Sequence, residues 1–221
     1  MSVPRQLAFA LPHAESFARD DFLTGSSNDA ALATIERWPD WADRVLALTG
    51  PEGAGKSHLA AIWAEKAGAR RVSARALGET DLIGALATGA LVVEDASAQF
   101  DQRALFHLLN LVREEEGYLL LTARSAPATW GVGLPDLASR LRAIPVVAVS
   151  APDDALLRAV MVKLFADRQL SVDESLIAYL ATRIERSFAA ARKAVEALDR
   201  EALRQKRSVT RALAAELLGA S

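Results

Sequence analysis

Short apolar runs separated by amphipathic stretches set the character of the first two-thirds of the chain. The runs cover residues 45–49, 71–73, 91–94, 118–122 and 145–149, each of strand length. Apolar runs alternating with helix-period stretches predict an α/β fold: a parallel five-stranded sheet with helices on both faces. Past Asp153 the period changes. Residues 153–168, 173–185, 188–206 and 210–218 repeat apolar positions at helical spacing, with no strand-like run between them. A small α-helical domain is therefore expected after the sheet. Its boundary falls at Ser150-Ala151-Pro152, where proline interrupts the pattern and Asp153 is placed to cap the next helix. The predicted division is an arm over 1–15, an α/β domain over 16–151 and a helical domain over 152–221. Ahead of Asp40 the chain reads as an arm with one short helix, about 28–36, closed by Trp38-Pro39.

Composition narrows the class. With 221 residues, 51% of them hydrophobic and 24% charged, the chain suits a globular protein with one substantial core and a small appendage. No apolar stretch approaches the roughly eighteen residues of a membrane span and no signal peptide is apparent, so a soluble protein without a membrane partner is expected. The absence of cysteine excludes disulfides, thiolate metal sites and a cysteine nucleophile, and agrees with a cytoplasmic location. His13, His58 and His107 stand apart from one another without metal spacing and read as packing or surface residues. A net charge of −2 lacks the basic excess of a stand-alone DNA-binding module. Arg183 to Arg211 enclose seven further Lys and Arg, but acids are interleaved. That stretch reads first as a solvated helical face and second as a contacting one.

Chemistry enters at Gly50-Pro51-Glu52-Gly53-Ala54-Gly55-Lys56-Ser57, which fits G-x-x-x-x-G-K-[ST] at every fixed position. The glycines let backbone N–H groups turn inward around phosphates, Lys56 neutralises β/γ oxygens, and Ser57 supplies a hydroxyl for Mg²⁺. The run 45–49 precedes the loop and a helical stretch from Ser57 to Ala67 follows it, giving the required strand, loop, helix order. ADP or ATP, with Mg²⁺, is the expected cofactor. Such a loop needs an acidic partner at a neighbouring strand end, to hold the metal's water shell and polarise an attacking water. Glu94 and Asp95 close the run 91–94 and fill that role; the bland alternative is that they cap a helix starting near Asp101. Thr122, at the end of 118–122, either senses the γ-phosphate or bonds its own turn.

Together, the loop, acidic strand, polar strand end and trailing helices resemble an AAA+ module of the DnaA group. The segment Ser16-Phe17-Ala18-Arg19-Asp20-Asp21-Phe22-Leu23-Thr24-Gly25-Ser26-Ser27-Asn28 is similar to the stretch preceding the DnaA ATPase core. Gly53-Ala54-Gly55-Lys56-Ser57-His58-Leu59 is similar to its phosphate loop. Leu134-Pro135-Asp136-Leu137-Ala138-Ser139-Arg140-Leu141 resembles the Hda branch, the DnaA-related regulators of the initiator. The resemblance implies that Phe22 and His58 join the phosphate-loop residues in binding nucleotide. It implies a sliding-clamp (β subunit) contact through Gln6-Leu7-Ala8-Phe9-Ala10-Leu11, with Gln6, Leu7, Phe9 and Leu11 as the contacting residues. It also implies that Arg140 is an arginine finger acting on DnaA-bound ATP, with an internal salt bridge as its ordinary alternative and Arg142 as a rival.

Two positions depart from the family. Glu94 stands where aspartate is usual, which puts tight Mg²⁺ geometry in doubt, and the lid arginine position aligns with Ala189, leaving Arg192 as the substitute. No helix-turn-helix follows the lid-like helices, so no sequence-specific DNA binding is expected. The implied function is negative regulation of replication initiation, by stimulating hydrolysis of DnaA-bound ATP together with the clamp, with slow hydrolysis alone. An autonomous ATPase such as a helicase loader, and a non-hydrolysing nucleotide sensor or adaptor, are the alternatives. A monomer and a homodimer both remain open.

Overall fold

The computed structural model describes residues 17–97 and 99–219; Gln6, Leu7, Phe9 and Leu11 lie outside the described residues. Two compact units divide between Ala151 and Pro152. In the first, β1 (Val45–Thr49), β2 (Arg70–Ser73), β3 (Ala90–Glu94), β4 (Tyr118–Ala123) and β5 (Val146–Ala148) form a five-stranded sheet in the order β2-β3-β4-β1-β5. Every pairing is parallel, as the alternating pattern predicts. Val45 to Thr49 run opposite Leu119 to Ala123, and Ala90 to Val93 opposite Tyr118 to Leu121.

Because successive strand side chains alternate, the sheet serves two cores. Ala47, Leu91, Val93, Leu119 and Leu121 pack with α3 (Leu82–Leu86), α4 (Gln102–Glu114) and α5 (Pro135–Ala143). Leu46, Leu48, Val92 and Leu120 pack with α1 (Asp29–Glu36) and α2 (Lys56–Ala67). Among the described residues ahead of Asp40, Phe22, Ala31, Leu32 and Ile35 are all buried in this second core, so residues 22–35 are not an arm. Turn chemistry fixes its entry. The buried Asn28 side chain donates to the Leu23 carbonyl at 3.0 Å and accepts from the Gly25 amide at 2.9 Å. Helix α4 is capped by Asp101, whose carboxylate accepts the amides of Arg103 and Ala104 at 2.8 and 2.9 Å, so Glu94 and Asp95 do not cap it.

The second unit holds α6 (Asp154–Asp167), α7 (Glu174–Ala181), α8 (Phe188–Gln205) and α9 (Arg211–Gly219) around Leu157, Met161, Phe165, Leu176, Leu180, Val195 and Leu213. Asp153, Asp173 and Ser187 accept the amides of Leu156, Leu176 and Ala190 and so start three of these helices. Helix α7 stops four residues short of the predicted 185, where the Thr182 hydroxyl turns back to the Tyr179 carbonyl.

Candidate functional site

The loop after β1 is shaped by two glycines. Gly50 has φ of +156° and its Cα faces the Val149 carbonyl so closely that a Cβ would collide with the oxygen. Its amide bonds the Ala123 carbonyl at 3.2 Å, tying the loop's first residue to the end of β4. Gly55, at φ of +97°, turns the chain into α2, and such a backbone suits only a residue without Cβ. The amides of His58 and Leu59 bond the Gly55 carbonyl at 3.1 Å, and those of Lys56 and Ser57 precede any helical acceptor, an arrangement that suits an anion. Ser57 is exposed there.

Lys56 is buried at 8% exposure, and its ammonium donates to the carbonyls of Gly50 and Pro51 at 2.8 and 2.7 Å. Burial lowers its pKa from the ordinary 10.5; Asp95 and Glu52 pull it back up, and Arg124 adds to the lowering. Lysine, Asp95, Glu52 and Arg124 thus converge electrostatically on one loop. Glu52 and Arg124 also pair at 2.5 Å, but both are well exposed, so the pair contributes little to stability.

Strand order places β4 between β1 and the acidic strand β3, which sequence reasoning had expected beside the loop strand. Thr122 therefore occupies the gap. It is buried, and its hydroxyl accepts the Asp95 amide at 3.1 Å while its carbonyl accepts the Ala96 amide at 2.8 Å. Thr122 thus bonds the neighbouring strand end and not its own turn, and its hydroxyl retains a proton to donate. Asp95 sits at φ of +57°, a left-handed conformation that aspartate tolerates better than most residues. Glu94 turns elsewhere. Arg71, on β2, donates through Nε at 2.8 Å and Nη2 at 2.6 Å to Glu94 Oε1. Sequence reasoning missed Arg71. Its signal lies in the register: Arg71 is opposite Val92, so Glu94 is its same-face neighbour two residues on.

Phe22 and His58 come together, with ring centroids 5.0 Å apart and nearly perpendicular; Phe17 also meets His58, at 5.3 Å. Phe22 is a core residue at 6% exposure. Arg140, half-buried on α5, stacks over the Phe106 ring at 4.9 Å and has no carboxylate partner among the described residues. Arg142 beside it is exposed. Arg192 is half-buried on α8 of the helical unit, as is Ala189.

No protein-family model matches the chain, and no curated protein matches its sequence. Solved structures do match. Domain III of the Thermotoga maritima replication initiation protein DnaA is similar with a TM-score of 0.75 at 18% identity, over 91% of this chain and 95% of that one. The fold is that of this DnaA domain, a parallel five-stranded sheet flanked by helices and followed by a helical region. The likeness extends to the replication initiator DnaA bound to AMPPCP and single-stranded DNA, with a TM-score of 0.66 at 17% identity over 86% of this chain and 68% of that one. It reaches the Thermotoga maritima RuvB Holliday junction branch migration motor, with a TM-score of 0.70 at 15% identity over 93% and 72%. Among the described residues, no helix is long and apolar enough to cross a membrane.

Mg²⁺ demands hard oxygen donors near the phosphates. The Ser57 hydroxyl and the Asp95 carboxylate have that chemistry at this end of the sheet. Glu94, held by Arg71, does not fit as placed. The described residues form no group of three or more His, Cys, Asp or Glu able to hold a metal unaided.

Proposed function

We propose that this chain is a nucleotide-binding AAA+ regulator of replication initiation, of the Hda kind, acting in the cytoplasm. In this reading ADP or ATP lies on the loop Gly50 to Ser57, with Lys56 on the phosphates and Ser57 and Asp95 toward Mg²⁺. Thr122 positions Asp95, His58 and Phe22 border the loop helix, and Arg192 replaces the lid arginine. Arg140 is donated to DnaA-bound ATP, and Gln6, Leu7, Phe9 and Leu11 engage the sliding clamp.

The observation that carries this reading is where Arg140 stands. Its helix α5 packs on the sheet face opposite α2, with Leu137 and Leu141 in one core and Leu59 and Trp63 in the other. Arg140 also lies in the last turn of α5, which returns the chain toward the start of β5, whereas the phosphate loop leaves the carboxyl end of β1. The parallel strands separate those ends by about 10 Å, at ~3.3 Å per residue, with the sheet between. A guanidinium so placed, with no carboxylate among the described residues to hold it, serves a phosphate on another chain better than its own.

The test is hydrolysis of DnaA-bound ATP with DNA-loaded clamp. Wild-type chain is expected to accelerate it, and Arg140→Ala to remove that acceleration by about 10³-fold or more, the scale of an arginine finger. Gln6→Ala removes the clamp dependence. Stimulation that survives both substitutions overturns the reading. One observation favours a second reading, an ATPase in its own right: Asp95 and Lys56 interact across the loop. Turnover by the chain alone, abolished by Lys56→Ala and Asp95→Asn, establishes it instead.

A further inference from the structure

We infer that Arg71 withdraws Glu94 from the cation position of the phosphate site, leaving Asp95 as the acid of that strand end which faces the phosphates. This rests on the nucleotide reading above and concerns how that site handles its metal.

Adjacent in sequence, the two carboxylates are separated by backbone geometry. Glu94 is the last residue of β3 and points to the face that Arg71 shares, because Arg71 pairs with Val92 in register and Glu94 follows Val92 by one full pleat. Both guanidinium donors converge on the single oxygen Oε1, and Glu94 is only 21% exposed at the side chain, Arg71 36%. Two charge-assisted donors on one oxygen hold the Glu94 carboxylate toward Arg71. The Arg71 guanidinium also lies 5.8 Å from the Phe17 ring, so it is held from a second side.

Asp95 leaves the strand in the left-handed conformation, its amide fastened to Thr122, and its charge is felt by Lys56 inside the loop. The longer Glu94 side chain is therefore not an aspartate replacement that merely reaches further. It is half of an ion pair that closes the edge of the sheet. A metal that must compete with a guanidinium for a carboxylate gains little from it, since Mg²⁺ dehydrates reluctantly and demands near-ideal octahedral geometry.

The consequence is a nucleotide site whose affinity depends weakly on Mg²⁺. The experiment is equilibrium titration of the full chain with a fluorescent ADP analogue, with Mg²⁺ and with EDTA, for wild type, Glu94→Gln, Arg71→Gln and Lys56→Ala. Wild type is expected to differ by less than about threefold between the two conditions, and Glu94→Gln to behave like wild type. Arg71→Gln frees Glu94 and raises the Mg²⁺ effect to about tenfold or more. A large Mg²⁺ effect in wild type that Glu94→Gln abolishes overturns the assignment, as does an unchanged ratio in folded Arg71→Gln. If Arg71→Gln does not fold, wild type against Glu94→Gln still decides. Loss of binding in Lys56→Ala alone upholds the nucleotide reading whatever the ratios; no binding by wild type in either condition overturns that reading, and this inference with it.

Discussion

In the α/β unit the buried polar side chains are Asn28, Thr49, Lys56 and Thr122, whereas among the described residues of the helical unit only Ser187 is buried, and it caps a helix. Burying a polar group without a partner is costly, and each bond that such a group makes specifies a position. In the helical unit that specification starts a helix. In the α/β unit Asn28 folds the entry segment, Thr122 sets Asp95 and Lys56 is wound into a loop of carbonyls, all on the side of the sheet where strands end. The first unit invests its buried polarity in placing groups relative to one another, and the second in secondary structure alone.

Gly50→Ala is the harshest challenge to this contrast. Its Cβ meets the backbone oxygen of Val149, which no rotamer change can move, so the cost is about 3 kcal/mol or more in chemical denaturation of the full chain. A loss under about 1 kcal/mol would show that the loop yields and does not place anything rigidly. Thr122→Val against Ser187→Ala sharpens the comparison. Thr122→Val strands the Asp95 amide and is expected to cost about 1–3 kcal/mol, and to weaken nucleotide binding. Ser187→Ala costs about 1 kcal/mol, the ordinary value of a lost cap, and leaves nucleotide affinity alone.

The smallest effects are in pH. Lys56 has a folded pKa below 10.5, so the unfolded chain holds more protons in that window and wild type gains stability relative to Lys56→Met as pH rises toward 10.5. Glu201 behaves oppositely. Hydrogen bonds from Arg204 and Gln205 hold its carboxyl down to about 2 from the ordinary 4.5, so its contribution is present above 4.5 and fades as pH falls toward 2. Glu201→Gln should therefore flatten the acid limb of the helical unit's denaturation profile and leave the alkaline limb unchanged.

Much of the fold was legible because its three central strands, β3, β4 and β1, are apolar on both faces and its helices α4 and α8 are amphipathic. The run 45–49 is β1 to the residue, and 188–206 differs from α8 by one position. Helix α3 was not, since five residues from Leu82 to Leu86 hold too little periodicity to register. The shape of the loop after β1 was legible because local backbone demands are written in glycines. Three other features were not: the hydroxyl of Thr122 on the Asp95 amide, the guanidinium of Arg71 on Glu94, and Arg140 over Phe106. Each joins residues more than twenty positions apart, and needs a strand order or helix packing that composition does not encode.

The close approach of Gly50 to Val149 has a mechanical side. The Val149 amide also bonds the Thr49 carbonyl at 2.7 Å, so the end of β1 and the end of β5 are spliced by a bond and a contact with no slack between them. Val149 is three residues ahead of Pro152, where the helical unit begins. A load on the first turn of the loop is therefore delivered, through backbone alone, to the end of β5.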